Sequence, residues 1–204
     1  EILENGNIGL KNPFHPDNTP ADLIKIIKSL NERGISCPVL LRVTDYLAFR
    51  IKQINNSFFR AIREIRYKGE YKGVFPVKVN QQAQVIDRIV EFGKEFDFGL
   101  EVGSKPELLI ALAHDLSANS TIICNGIKDR EFIHLAILSI KIGFKTILVL
   151  ESPRELDLII KISKELNVRP LLGIRVKLTN KVSGNWSQSS GDRSAFGLSV
   201  EQVM

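Results

Sequence analysis

The chain has only two cysteines, one tryptophan and one methionine among its 204 residues. Two thiols cannot make a disulfide scaffold at this size, and Cys124 lies in an apolar run where a buried free thiol is the ordinary state. A reducing, cytoplasmic compartment is therefore expected. No stretch approaches the ~18 uninterrupted apolar residues of a membrane-spanning helix. The opening EILENGNIGL lacks the basic, apolar, small-residue order of a leader, so a soluble protein without a membrane partner is expected. No block of five basic residues occurs: 28 Lys and Arg against 23 Asp and Glu leave a net charge of +5, with the two signs interleaved. A nucleic-acid partner is not expected on that pattern, although a basic binding module stays open as the non-enzymatic reading. No Cys and His spacing suggests a metal, and neither G-x-G-x-x-G nor a P-loop is present. What the chain does have is 44% hydrophobic residues spread evenly, enough to bury a core and exclude disorder.

Those apolar residues are organised by a period. Short β-branched runs enter at Val74, Phe98, Thr121, Thr146 and Leu171, with spacings of 24, 23, 25 and 25 residues, the length of one strand plus one helix. Helix starts lie between them: Ser104 and Glu107 form an S-x-x-E capping box, and Ser152 and Glu155 repeat it with Pro153 at the first helical position. Phe132, Ile133, Ala136, Ile137 and Ile140 share one helix face. Continuous apolar strands alternating with amphipathic helices predict an α/β fold, a parallel sheet covered by helices.

Ahead of these units, residues 1–72 read as a separate segment. A loop or strand rich in proline is followed by a helix from about Ala21 to Arg33, the strand-like PVLLRV (residues 38–43), and a second helix from about Thr44. Both helices carry core-facing stripes. Residues 73–204 hold five strand-helix units, five-eighths of a (β/α)8 TIM-like barrel, which typically needs ~250 residues. Ser199 and Gln202 begin another helix, and the chain stops at Met204. The expectation is a barrel truncated before closure, inactive in isolation because two strand edges stay open. A smaller doubly wound sheet is the structural alternative.

In either architecture chemistry gathers at the C-terminal strand ends. Read in order, these ends are Lys78, Glu101, Asn125, Glu151 and Arg175, spaced 23, 24, 26 and 24 residues apart. Two cations and two anions can simply neutralise each other. Lys78 is the sharpest member. With apolar residues on both sides, its amine is expected in a poorly solvated mouth, where a free amine could condense with a carbonyl. The Ser-, Gly- and Asn-rich stretch from Thr179 to Ser194, with Trp186 as its one large apolar anchor, reads as a loop over this rim and a candidate lid.

The motifs FPVKVNQ (Phe75 to Gln81), LEVGSKPEL (Leu100 to Leu108), ICNGIKDREFI (Ile123 to Ile133), LGIRVKL (Leu172 to Leu178) and FGLS (Phe196 to Ser199), with CPVLLR and SFFRAIREIRYKGEYKGV upstream, cover nearly the whole chain. In order and content the sequence resembles the biosynthetic arginine decarboxylases, pyridoxal-phosphate enzymes of the alanine-racemase-like barrel, fold type III. The resemblance implies decarboxylation of L-arginine to agmatine and CO2 in polyamine (spermidine) biosynthesis. It implies Lys78 as the Schiff-base lysine, Glu101 as a catalytic acid beside it, and Glu107 as a second acid that binds the cofactor. Arg175 and Arg193 fall near basic cofactor-binding positions of relatives. Pyridoxal 5'-phosphate is the implied cofactor, magnesium an optional second one, and a homodimer or higher homo-oligomer the implied assembly. The family's phosphate loop, pyridine-nitrogen partner and β-rich second domain would follow Met204. Two departures touch loops: Ala195 stands where a lysine is common before FGL, and the NGYKD pattern reads Asn125-Gly126-Ile127-Lys128-Asp129. Ornithine or diaminopimelate decarboxylation, racemisation on the same fold, and a cofactor-free Schiff-base aldolase using Lys78 are the competing enzyme readings.

Overall fold

The computed structural model describes residues 1–177 and 196–204, which fall into two compact units, Glu1–Gly69 and Glu70–Met204. In the first, β1 (Gly9–Leu10) pairs antiparallel with β2 (Ala21–Asp22), which runs straight into α1 (Leu23–Glu32). Asp22 starts that helix by accepting from the backbone N–H groups of Ile24 and Lys25. The amides of Asn7 and Asn5 donate to its other oxygen, and these bonds, Asn7 foremost, hold the Asp22 carboxyl at about 2. The long α2 (Thr44–Glu64) completes the unit.

Two expectations fail here. The segment PVLLRV is not a strand: it joins no sheet among the described residues, and Leu40 and Leu41 are exposed. Nor are the helix stripes buried within the unit. No residue of α1 is buried, and only Ile51 and Asn55 of α2 are. Periodicity reports that a face is apolar, whereas burial requires an opposing surface, and this unit contains too little of one.

The second unit follows the period. Its strands are β3 (Val74–Pro76), β4 (Gly99–Val102), β5 (Thr121–Cys124), β6 (Lys145–Leu150) and β7 (Leu171–Ile174), all parallel and in the spatial order β3-β4-β5-β6-β7. A helix follows each of the first four: α3 (Ala83–Gly93), α4 (Lys105–Leu112), α5 (Arg130–Lys141) and α6 (Pro153–Leu166). Parallel strands require such crossovers. Strand order equals chain order throughout, with no reversal point among the described strands, which is the winding of a barrel and not of a doubly wound sheet. The sheet is unclosed among the described residues. β3 forms one edge, and outside β7 the Leu198 backbone pairs with Arg175 and Lys177 in a parallel bridge before α7 (Val200–Val203) begins.

The core lies between sheet and helices, where Leu100, Ile122 and Leu148 meet Ile86, Ile133, Ile137, Ile159 and Ile162, all fully buried or nearly so. Each such side chain contributes about 1.5–3 kcal/mol. Gly99 opens β4 because a side chain there would strike the Thr121 carbonyl oxygen 2.0 Å away. Strand pairing at that position needs hydrogen in place of a methyl group. Among the described residues no helix is long and apolar enough to cross a membrane.

Candidate active site

All five rim residues stand at the C-terminal ends of the parallel strands, because each strand contributes one polar side chain where its ladder stops. The structure sorts them into two clusters. In the first, β3 ends in a single 3-10 turn, Val77–Val79, pinned by the fully buried Val77. Lys78 projects from this turn and its Nζ lies 3.4 Å from Oε1 of Glu101. The register Pro76↔Glu101 across β3 and β4 makes that approach possible. The same Glu101 oxygen accepts from Nδ2 of Asn125 at 3.0 Å.

In the second cluster one carboxylate is saturated by three donors. Glu151 accepts from the Gly126 N–H and from Nη1 of Arg175 on Oε1, each at 3.0 Å, and from the Gly197 N–H on Oε2 at 2.9 Å. The Arg175 guanidinium also lies over the Phe196 ring, 5.1 Å from its centroid. Asn125 and Gly126 are adjacent in sequence, so the loop after β5 reaches both clusters at once. The ion pairs expected of two cations and two anions therefore form, as Lys78–Glu101 and Arg175–Glu151.

One expectation about Lys78 is corrected. Its side chain is 62% exposed while that of Glu101 is 9% exposed, so the amine does not sit in a dry mouth. Lys78 lies beyond the strand, in the turn, and β3 has a neighbour on one side only. The buried partner is the carboxylate, and it is Glu101 that ties the lysine to the rim.

Glu107 is buried with both oxygens engaged. Oε2 accepts from the Gly103 N–H at 2.8 Å, and Oε1 from Nε2 of Gln81 at 3.4 Å, in the loop that carries Lys78. The capping-box half on Ser104 is present as expected, with Ser104 Oγ accepting from the Glu107 N–H. The second box is absent. Ser152 makes no side-chain cap, and Glu155 instead accepts from the Glu151 N–H and the Lys128 N–H, each at 2.8 Å. Beneath the rim the Lys128 ammonium is enclosed by Glu155, the Gly126 carbonyl and the Val149 carbonyl. Burial pushes its pKa down, while the Glu155 charge opposes that shift. Sequence reading passed over this pair: Glu155 has the spacing of a cap residue, and no local pattern marks a lysine destined for burial. Arg193 and the candidate lid from Thr179 to Ser194 lie outside the described residues.

The donor set fits an aldehyde cofactor. An accessible primary amine stands beside a buried carboxylate that accepts from it and orients it, at the face of the sheet where such sites are built. A thiol nucleophile is not offered at this rim, since burial pushes Cys124 up to about 12. In the folded protein Cys124 is expected to resist iodoacetamide and to be alkylated only after denaturation, which mass spectrometry of its peptide checks. For magnesium the fit is poor, since among the described residues no three His, Cys, Asp or Glu side chains stand close enough to hold a metal ion.

Comparison with known proteins agrees with this geometry. Residues 51–204 match the family described as pyridoxal-dependent decarboxylase, pyridoxal binding domain. The chain is 47% identical over 203 residues to a biosynthetic arginine decarboxylase from Prochlorococcus marinus (strain MIT 9312), covering 100% of this chain and 31% of the relative. It is 46% identical over 204 residues to one from Gloeobacter violaceus, covering 100% of this chain and 32% of the relative. The crystal structure of the biosynthetic arginine decarboxylase from Campylobacter jejuni superposes with a TM-score of 0.83 at 33% identity, over 99% of this chain and 31% of that one. The chain thus spans about a third of the length of these relatives. With Lys78 on the strand-end rim of a parallel, barrel-wound sheet, and with that match over residues 51–204, the chain belongs to the pyridoxal-dependent decarboxylases.

Proposed function

We propose that this chain carries the cofactor lysine of an enzyme that decarboxylates L-arginine to agmatine and CO2, a step toward polyamines. The observation that carries the reading is the Lys78 amine held 3.4 Å from the buried Glu101 carboxylate on the catalytic rim. The choice of arginine draws support from the names of relatives 46–47% identical over the whole chain. Bound pyridoxal phosphate supplies the electron sink that accepts the pair left when a carboxyl group departs.

The chain's own residues do the rest. Lys78 Nζ is the atom that attaches to the cofactor, and attachment requires the ammonium to shed a proton. That proton leaves to solvent, to which the side chain is open, while the buried Glu101 Oε1 accepts from Nζ and fixes its direction. Glu107 holds the loop bearing Lys78 through Gln81, so its contribution to cofactor binding is to fix where the amine points. Arg175, braced by Glu151 and Phe196, presents a positive charge to the anionic cofactor, and Arg193 is assigned a cofactor contact by resemblance alone. A homodimer or higher homo-oligomer completes the reading.

Borohydride reduction of the full-length protein purified with its cofactor, followed by peptide mapping, is expected to place the pyridoxyl group on Lys78. Labelled CO2 is expected from arginine, and not from ornithine or diaminopimelate. A label on another residue overturns the lysine assignment. CO2 from ornithine or diaminopimelate overturns the substrate, and a colourless yet active enzyme favours a cofactor-free aldolase.

A further inference from the structure

We infer that Asn125 is a positioning residue that holds Glu101 against Lys78. This rests on the reading of Lys78 as the cofactor lysine. Glu101 Oε1 meets two donors, the Lys78 ammonium at 3.4 Å and Asn125 Nδ2 at 3.0 Å. The lysine bond is the longer, and the lysine side chain is mostly exposed. The amide bond is the shorter and is built on firmer ground. The Asn125 N–H donates to the Val102 carbonyl at 2.8 Å, which extends the β4–β5 ladder by one residue past the pair Val102↔Cys124. Its neighbour Gly126 is fixed by the buried Glu151 and has φ +75. A Cβ at Gly126 would stand 2.9 Å from the Gly103 carbonyl oxygen, so the loop after β5 lies tightly against the loop after β4. Asn125 is thus held on both sides, whereas the Lys78 side chain is mostly exposed and makes the longer bond.

A carboxylate with one mobile donor samples several rotamers. A second, fixed donor selects among them, and here it selects the one in which Oε1 faces Nζ. Asn125 carries no charge and offers no proton for transfer at neutral pH, so it acts only through Glu101. It touches neither the amine nor, on this reading, the aldehyde. Its effect is on the fraction of time Glu101 Oε1 faces the Lys78 amine and orients it.

The test is a double-mutant cycle on the rate at which full-length apoenzyme captures pyridoxal phosphate, followed by absorbance of the bound cofactor, with kcat and KM for decarboxylation as a second readout. Asn125→Leu keeps the side-chain volume and removes the donor, and Asn125→Ala guards against a misfit of leucine. Each is expected to slow cofactor capture about tenfold, the cost of one hydrogen bond to a charged group. Each is also expected to lower kcat with KM changed less than about twofold. In a Glu101→Gln background the same substitutions are expected to change capture by less than about twofold. A residue that merely supports the fold would slow capture equally in both backgrounds. Effects that multiply independently, or no effect of either Asn125 substitution, overturn the inference. Failure of borohydride to label Lys78 in the unsubstituted protein overturns the underlying reading instead, and the two failures are told apart by that control.

Discussion

Lys78→Ala in the full-length enzyme is expected to lower the rate of decarboxylation at least about a thousandfold, because covalent positioning of the cofactor is lost along with its amine. Lys78→Arg is expected to be equally impaired. Arginine keeps the positive charge and can still pair with Glu101, but its guanidinium does not condense with an aldehyde at neutral pH. The two variants together separate an electrostatic role from a nucleophilic one. If Lys78 were only half of a rim ion pair, Lys78→Arg would retain most of the activity and Lys78→Ala would cost little, since a pair with so exposed a lysine is worth at most about 1 kcal/mol. Steady-state CO2 release and the absorbance of bound cofactor measure both outcomes, and near-native turnover by Lys78→Arg would refute the assignment.

Glu155→Ala is expected to have the largest effect on the integrity of the rim. Among the described residues its carboxylate is the only anion bonded to the Lys128 ammonium, whose side chain is wholly buried. Removing one partner of a buried ion pair costs about 3–5 kcal/mol, because the other charge stays buried without compensation. The same two oxygens also take the Lys128 and Glu151 backbone N–H groups, which would be left without acceptors. Hydrogen exchange of peptides covering residues 126–129 and 150–155 in the full-length protein should therefore quicken on the order of 10²–10³-fold, at about 1.4 kcal/mol per factor of ten. An apolar double replacement, Lys128→Met with Glu155→Leu, normally rescues an isolated buried pair. Here it should rescue only in part, since two backbone donors remain orphaned. Full rescue, or unchanged exchange in Glu155→Ala, would show that the pair is dispensable.

The sheet was legible in sequence because its signal is repeated. Five apolar entry points at a nearly constant spacing survive any local ambiguity, whereas the strand order stayed open between a barrel and a doubly wound sheet. Lys78, Glu101, Asn125, Glu151 and Arg175 were likewise legible as a rim, since each stands where a strand ends. Their pairing was not. That Lys78 bonds to Glu101 while Arg175 bonds to Glu151 depends on register and rotamer, which one strand alone does not encode. The exposure of Lys78 was misjudged for a related reason: apolar residues on both sides suggested a strand interior, yet Pro76 ends the ladder and the lysine falls in a 3-10 turn. PVLLRV looked like a strand by propensity alone and joins no sheet among the described residues. The Lys128–Glu155 pair was hidden because S-x-x-E serves equally well as a cap and as a reach toward a neighbouring loop.

Spatial order equal to chain order has a consequence for biosynthesis. Every new strand of the second unit docks on one completed roughly two dozen residues earlier, so the sheet can grow in a single direction as the ribosome releases the chain. Each of β4 to β7 finds its neighbour already made. The loop-closure entropy of each addition stays small and nearly constant, while the β3 edge stays open beside the newest one.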